Sequence, residues 1–171
     1  MKKIFFVLIP LVTFFALFFV WNLFGAVGNS KQTEVFVVPQ NKDNFDVAQS
    51  LQNQKFIKNS KAFSFLLNNF SGGAEIKSGG YRLAQNMNAW QVMKKITGNF
   101  DLIWFTNSYC VRKEQVGEYL ASALNWNSDQ LNSWNALYKN DKPEYFEGVY
   151  YPDTYLIPID ETPEAVAQRF I

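Results

Sequence analysis

The chain has 171 residues, of which 48% are apolar and 18% aromatic, and its formal net charge is +1. This charge balance argues against a nucleic-acid binder that relies on a basic surface, and no nucleic-acid partner is expected. The chain has no histidine and one cysteine, which excludes His-based catalysis, zinc sites that need imidazole and an internal disulfide, and neither a metal nor another cofactor is expected.

The first segment is an uncharged apolar stretch from Ile4 to about Leu23, directly after Lys2 and Lys3. About 20 helical residues span roughly 30 Å, the thickness of the hydrocarbon layer of a bilayer. By the positive-inside rule the two lysines stay in the cytoplasm. Residues 1–28 are therefore predicted to be a single-pass anchor in the plasma (inner) membrane, with the bulk of the chain outside. A signal peptide cut near Ala26-Val27-Gly28 is the alternative, although its apolar region would be unusually long.

Residues 29–99 are predicted to form a β-α-α-β unit followed by another helix. The expected elements are a strand at 33–38, helices at 44–54 and 60–70 capped by Asn44 and Ser60, a short strand at 81–83, and a helix from Asn88 to Gly98. The residues expected to face inward are Phe45, Ala48, Leu51, Phe63, Leu66, Leu67, Ala89, Val92, Met93 and Ile96.

Residues 100–171 are predicted to begin with a buried strand at 102–105 and to continue with helices. Residues Val116, Tyr119, Leu120, Ala123 and Leu124 form the apolar face of the first helix, and Ser128 caps the next, with Leu131, Trp134, Leu137 and Tyr138 facing inward. Thr162 and Pro163 start a last short helix. The chain stops on Phe170-Ile171, so a longer domain is expected to continue; the alternative is that both residues dock onto the existing core.

The segment 146–158 is dense in aromatic residues around two carboxylates, Glu147 and Asp153. Sugar rings stack on aromatic rings, and carboxylates accept hydrogen bonds from hydroxyl groups, so this composition suits a carbohydrate site. Alternatively, Asp153 holds a turn and the tyrosines fill a core. The candidate residues of a glycan cleft are Glu147, Tyr150, Tyr151, Asp153, Thr154 and Tyr155.

This segment resembles the E-G-x-[FY]-P-D-T-Y block of the MltG (YceG-like) endolytic murein transglycosylases. The matching residues are Glu147-Gly148, Pro152-Asp153-Thr154-Tyr155 and Pro158, and upstream 77–83, Met87-Asn88-Ala89 and Gly98 resemble a turn and the helix boundaries of the family. The resemblance implies an α+β fold: a transmembrane helix (1–28), a LysM-like β-α-α-β subdomain (29–99) and the incomplete start of a mixed α/β catalytic domain (100–171).

Enzymes of this family cleave the MurNAc–GlcNAc bond within a glycan strand without water. One glutamic acid protonates the bridging oxygen, the C6 hydroxyl of the sugar attacks C1, and a 1,6-anhydro end results. The resemblance therefore implies a membrane-anchored lytic transglycosylase, a lyase that terminates glycan elongation in cell wall biogenesis. Its implied partners are peptidoglycan glycan strands and the peptidoglycan synthesis machinery.

The sequence departs from the family pattern in two places. A Pro-Glu-Gly turn of the family corresponds here to Thr106-Asn107-Ser108-Tyr109, which contains no acid. The catalytic glutamate of the family lies in a later helix, within a Glu-Lys-Glu type motif, so it is expected beyond Ile171, and catalysis is not assigned to Glu147. The alternative function is a non-catalytic, membrane-anchored module that binds cell-wall glycan.

Overall fold

The computed structural model describes residues 2–40, 42–108, 111–137 and 150–171. They form a mixed fold of helices and strands. In chain order the elements are α1 (Lys2–Phe24), β1 (Thr33–Val38), α2 (Asn44–Asn53), α3 (Ser60–Phe70), β2 (Gly79–Ala84), α4 (Ala89–Ile96), β3 (Leu102–Thr106), α5 (Lys113–Leu124), α6 (Ser128–Ala136), β4 (Thr154–Pro158) and α7 (Pro163–Arg169). Two compact units are present: residues 1–77 with 81–100, and residues 78–80 with 101–171.

The predicted apolar segment at the N-terminus forms one helix, α1, which contains Pro10. Within the described parts of the chain, no helix combines the length and the apolarity needed to cross a bilayer. The predicted transmembrane anchor is therefore not supported by the structure.

The first unit has an apolar core between its helices and the neighbouring strands β1 and β2. Most of the predicted inward-facing residues are buried there, including all four of α4: Ala89, Val92, Met93 and Ile96. Phe45 is the exception, since 52% of its surface is exposed. The buried stripe of α2 runs through Val47, Ala48 and Leu51. Phe45 lies two positions before Val47, about 200° away around the helix, and therefore faces outward.

Three helices use an N-cap residue one position earlier than predicted. Their caps are Asp43, Asn59 and Asn127 rather than Asn44, Ser60 and Ser128. In each case the side-chain oxygen of the cap accepts a hydrogen bond from the backbone N–H three residues later, at distances of 2.7, 2.9 and 2.9 Å. This bond satisfies one of the N–H groups that the first helical turn leaves without a helical partner.

The second unit is built on the antiparallel pair β3 and β4, in which Leu102 lies opposite Pro158 and Thr106 opposite Thr154. On the other edge of β3, Leu102 lies opposite Gly80. A Cβ atom at Gly80 would come within 2.9 Å of the Leu102 side chain, so only glycine fits this close approach.

Helices α5, α6 and α7 complete the second unit. Its buried apolar residues are Leu102, Ile103, Phe105, Val116, Leu120, Leu124, Trp134, Tyr150, Ile157, Val166, Ala167 and Phe170. Tyr119 and Ala123, which were predicted to face inward, are exposed, and Leu131 and Leu137 are half-buried. The buried face of α5 is shifted from the predicted one and includes Lys113 and Gly117. Gly117 receives Trp134, since a Cβ atom there would lie 2.4 Å from the indole Cδ1. Tyr138 lies outside the described residues.

The last two residues behave differently from each other. Phe170 is fully buried, whereas 68% of the Ile171 surface is exposed. The Phe170 ring stacks on Phe105 with a centroid distance of 5.9 Å and approaches Tyr155 to 4.5 Å. The sequence alone showed no part of the chain that was expected to bury either residue. For Phe170 the structure supports the alternative, docking onto the core, because β3 and β4 supply aromatic partners.

Candidate functional site

The candidate glycan-contacting residues lie in the short segment that leads into β4. Tyr151, Asp153 and Thr154 are exposed, Tyr155 is half-buried, and Tyr150 is buried. Four of the predicted residues thus reach solvent within this short segment, here called the tyrosine turn: Tyr151, Asp153, Thr154 and Tyr155.

Tyr150 is separated from this surface and belongs to the core. Only 8% of its surface is exposed. Its ring stacks on Trp134 with a centroid distance of 5.0 Å and meets the edge of Phe170 at 5.9 Å. Aromatic pairs at such distances contribute about 0.5–1.5 kcal/mol beyond the burial of their area. Tyr150 thus fixes the start of the segment in the core, directly before the exposed residues of the tyrosine turn.

Asn107, which follows β3, holds the backbone of the tyrosine turn. Its side-chain Nδ2 donates to the carbonyl oxygens of Tyr150 at 3.3 Å and Tyr151 at 3.1 Å. Its backbone N–H donates to the carbonyl oxygen of Asp153 at 2.9 Å. Asn107 is only 6% exposed. Asn107 thus donates to three backbone carbonyl oxygens, two through its buried side-chain amide and one through its backbone N–H. These bonds hold the backbone of the segment in one conformation.

Asp153 and Thr154 form the turn itself. The Asp153 carboxylate Oδ1 accepts a hydrogen bond from the backbone N–H of Thr154 at 2.7 Å. The hydroxyl groups of Thr154 and Thr106 lie 3.0 Å apart across the end of the β3–β4 pair. The Asp153 side chain therefore has a structural role while it stays open to solvent, and one of its oxygens is already engaged.

Tyr155 connects the turn to the core. Its hydroxyl group donates to the carbonyl oxygen of Tyr151 at 2.9 Å. Burial raises the pKa of the Tyr155 phenol above its ordinary value of 10.0, and the neighbouring Asp153 and Tyr151 raise it further, because each disfavours another negative charge. The phenol is therefore neutral at physiological pH and acts as a hydrogen-bond donor, not as a base.

Helix α6, which carries Trp134, is tied to α5 through Lys113. This lysine is only 4% exposed. Its ammonium Nζ donates to the carbonyl oxygens of Asn135 at 3.1 Å and Leu137 at 2.8 Å, at the C-terminal end of α6. In return, the indole Nε1 of Trp134 donates to the Lys113 carbonyl oxygen at 3.0 Å. A cation at a helix C-terminus is favourable because it meets the negative end of the helix dipole.

Sequence reasoning missed Asn107 and Lys113 as parts of this site. For Asn107 a signal was present: a polar residue directly after an apolar strand, where the side chain can bond neighbouring backbone groups. For Lys113 no local signal exists, since a lysine at the start of a helix is usually exposed. Only the packing of α6 against α5 shows what this ammonium group contacts.

Comparison with known proteins identifies the family. The model of the YceG-like family matches residues 36–171. The chain belongs to the YceG-like family. The crystal structure of a yceG-like protein from Listeria monocytogenes is similar at 18% identity, with a TM-score of 0.42, over 82% of this chain and 53% of that chain. The chain thus spans about half the length of that protein. No curated protein matches it.

Family membership confirms the resemblance seen in the sequence. One of the two departures from the family pattern, the turn without an acid, lies partly within the described residues. In this member of the YceG-like family, the turn that has no acid contains Asn107, whose amide holds the tyrosine turn. The other carboxylate of the family block, Glu147, lies outside the described residues. Its role in the cleft stays a prediction.

The described residues of this YceG-like chain contain no group of three or more His, Cys, Asp and Glu side chains that could hold a metal ion. The chemistry available at the tyrosine turn is that of hydrogen bonding and aromatic stacking. An exposed ring, a carboxylate and a hydroxyl group there suit the recognition of polyhydroxylated ligands.

Proposed function

We propose that the chain is part of an endolytic peptidoglycan transglycosylase and that its tyrosine turn contacts the glycan strand. Membership of the YceG-like family supports this function. The structure supports this role, because an exposed aromatic ring occurs in the same short segment as exposed groups that can bond sugar hydroxyls. These groups are the Asp153 carboxylate and the Thr154 hydroxyl.

The observation that carries the proposal is the fixed backbone of the exposed Tyr151. The ring is 66% exposed. Its backbone N–H donates to the Phe170 carbonyl oxygen at 2.7 Å, and its carbonyl oxygen accepts from Asn107 and from the Tyr155 hydroxyl. A large apolar ring that is held open to solvent by three backbone hydrogen bonds has no role in the core. Such preorganisation lowers the entropy cost of binding a ligand.

The proposed reaction uses a proton donor outside these residues. A glutamic acid gives its proton to the bridging oxygen, the C1–O bond breaks, and the C6 hydroxyl of the same sugar closes on C1 and returns a proton to the carboxylate. Within the described tyrosine turn the carboxylate is that of Asp153, which is exposed and holds its own turn. A general acid of this kind works from an apolar setting, which an exposed carboxylate lacks, so we place this acid beyond Ile171.

Binding to purified sacculi tests the glycan contact. We expect Tyr151→Ala to weaken retention of the chain at least roughly fivefold, the effect of losing a central aromatic contact. Tyr119→Ala is the matched control, because Tyr119 is an exposed tyrosine of the same unit at 56% exposure. Asp153→Asn is compared in the same way with Asp129→Asn on α6. Equal retention of Tyr151→Ala and Tyr119→Ala would remove the glycan contact from this surface.

Product analysis tests the placement of the acid. We expect this 171-residue chain alone to release no anhydro-muropeptides from sacculi. Release above the blank, abolished by Glu147→Gln, would place the proton donor inside the chain. The second candidate function, a non-catalytic module that binds wall glycan, is favoured by the structural role of the Asp153 carboxylate. It predicts glycan retention without release even when the open reading frame downstream is included.

The place of action is part of the proposal. We place the chain at the plasma membrane, with its bulk on the outer side next to nascent glycan and the synthesis machinery. The support is the proposed function itself, which needs access to nascent glycan. The uncharged segment 4–23 behind Lys2 and Lys3 adds no support, because it forms no spanning helix within the described residues. A reporter that is active only outside the cytoplasm, fused behind Ile171, is expected to be active. Activity of a cytoplasmic reporter at the same position would contradict this location.

A further inference from the structure

A cavity of about 540 Å³ lies in the first unit, far along the chain from the tyrosine turn. One part of its lining comes from the end of α1 and the residues after it, and the other from the connection between α2 and α3. The lining combines three apolar residues with four polar or cationic ones: Leu23, Val27 and Ile57, and Gln52, Lys55, Lys58 and Asn59. This combination suits a ligand that carries both charge and hydrocarbon.

Lys58 is held at the C-terminal end of α1. Its Nζ donates to the Trp21 carbonyl oxygen at 3.3 Å and lies 5.6 Å from the centroid of the Trp21 ring. Gly25 makes room for this approach, since a Cβ atom there would lie 2.4 Å from the same carbonyl oxygen and 3.3 Å from Nζ. The helix dipole and the aromatic ring position the ammonium group without neutralising its full charge.

Lys55 enters the cavity lining from an unusual backbone conformation. Its φ of 61° lies in the left-handed region, which is unfavourable for a residue with a Cβ atom. Its backbone N–H donates to the Gln52 carbonyl oxygen at 3.0 Å, which closes the turn after α2. Glycine or asparagine would adopt this turn more readily. A strained position that carries lysine is a reason to look for a use of its charge.

The positive charge of this region is not balanced by nearby acids in the chain. No Asp or Glu occurs between Asp46 and Glu75, whereas three lysines do: Lys55, Lys58 and Lys61. The ion pairs seen within the described residues join other groups, Lys42 to Asp46 and Arg169 to Glu161. Lys55 and Lys58 take part in neither of these ion pairs, and apolar residues line the same cavity. The two charges therefore attract an anion that has an apolar portion.

We propose that this cavity binds the phosphate-bearing headgroup of an anionic phospholipid. Lys55 and Lys58 contact the phosphate, while Leu23 and Val27 contact the glycerol and the first methylene groups. The apolar surface continues along α1, where Leu17 is 71% and Trp21 67% exposed. This continuity favours a lipid over a free phosphate ion, because a phosphate ion has no apolar surface to bury against these side chains.

The test uses the full chain in neutral detergent micelles, titrated with phosphatidylglycerol or with phosphatidylcholine of the same acyl chains. Native mass spectrometry counts the lipids bound per chain. We expect phosphatidylglycerol to bind more tightly than phosphatidylcholine. In the double variant Lys55→Gln/Lys58→Gln, this preference falls on the order of tenfold. The charge-matched control is Lys31→Gln/Lys77→Gln, which removes two exposed lysines of the same unit and is expected to keep the preference.

Three outcomes would overturn the proposal. The first is an equal loss of preference in both double variants, which indicates attraction by net charge alone. The second is no preference in the unsubstituted chain. The third is inorganic phosphate at millimolar concentration displacing all bound phosphatidylglycerol, which assigns the site to free phosphate. Circular dichroism of each variant confirms that the glutamine substitutions, at an exposed turn and a half-buried position, leave the helices formed.

Discussion

The side-chain amide of Asn107 lies 3.1 Å from the carbonyl oxygen of Tyr151, and this hydrogen bond joins the residue after β3 to the segment before β4. The two residues are far apart in the sequence, yet the bond determines where the exposed Tyr151 ring stands. A buried amide that also bonds Tyr150 makes the turn part of the core's own hydrogen-bond network. The backbone of the surface proposed to contact glycan is therefore held by hydrogen bonds to the residue that follows β3.

Replacement of this amide is expected to destabilise the second unit. Asn107→Ala removes the side-chain donor to the Tyr150 and Tyr151 carbonyl oxygens, of which the latter keeps the bond from the Tyr155 hydroxyl, at a cost of about 1–3 kcal/mol in the free energy of unfolding. Urea unfolding followed by aromatic fluorescence measures it. Asn132→Ala, on the exposed face of α6, is the control and should cost less than about 0.5 kcal/mol. Equal midpoints for the two variants would show that the buried amide is not needed.

The two C-terminal residues offer a matched pair for a test of the core. Phe170→Ala removes a fully buried ring and should lower the free energy of unfolding by about 3–5 kcal/mol. Ile171→Ala removes a side chain that is 68% exposed and should change it by less than about 0.5 kcal/mol. Thermal unfolding of both variants measures these two changes in the free energy of unfolding. A small effect of Phe170→Ala would contradict the docking of this residue onto β3 and β4.

Lys113 should stabilise the second unit through the end of α6. In Lys113→Met the apolar stem is kept, but the carbonyl oxygens of Asn135 and Leu137 lose the ammonium donor. The expected cost is about 1–3 kcal/mol, because these acceptors lie in a partly buried place. Glu118→Met, at an exposed position of the same helix, is the control. If Lys113→Met proves as stable as Glu118→Met in urea, the ammonium group does not cap α6.

The Tyr155 phenol predicts a pH dependence at alkaline pH. Its pKa is raised in the folded chain, so the unfolded chain ionises first, near 10.0. The stabilisation is complete below that pH and is lost as the pH rises from there through the folded pKa. Tyr155→Phe should remove this part of the alkaline slope and cost about 1 kcal/mol at neutral pH through the lost bond to Tyr151.

Unfolding free energies measured across this pH range, with Tyr119→Phe as the control, test the prediction. Tyr119 is exposed on α5 and controls for the loss of a tyrosine hydroxyl elsewhere in the same unit. An unchanged slope in Tyr155→Phe would mean that the phenol titrates alike in the folded and unfolded chains.

Element positions could be predicted well where one periodic pattern prevailed, and less well where two cap residues stood side by side. The pairs Asp43-Asn44, Asn59-Ser60 and Asn127-Ser128 each offer two suitable caps, and the structure uses the first. For the last pair the sequence contained the answer, since Gln130 lies three residues after Asn127 and completes a capping box. The inward faces of helices were harder to predict. In α5 the residue that packs against Trp134 of α6 is Gly117, and the large side chain of Tyr119 lies outside.

The sequence by itself determined the order of the helices and of strands β1 to β3, though not β4, and the family of the chain, because hydrophobic periodicity and the block at 147–155 are local properties. Only the tertiary structure decided which tyrosine is core and which is surface. Tyr150 and Tyr151 are adjacent and chemically identical. One is buried against Trp134 and the other is held in solvent by bonds from Asn107, Phe170 and Tyr155. These partners come from distant parts of the chain, so no local pattern could distinguish the two rings.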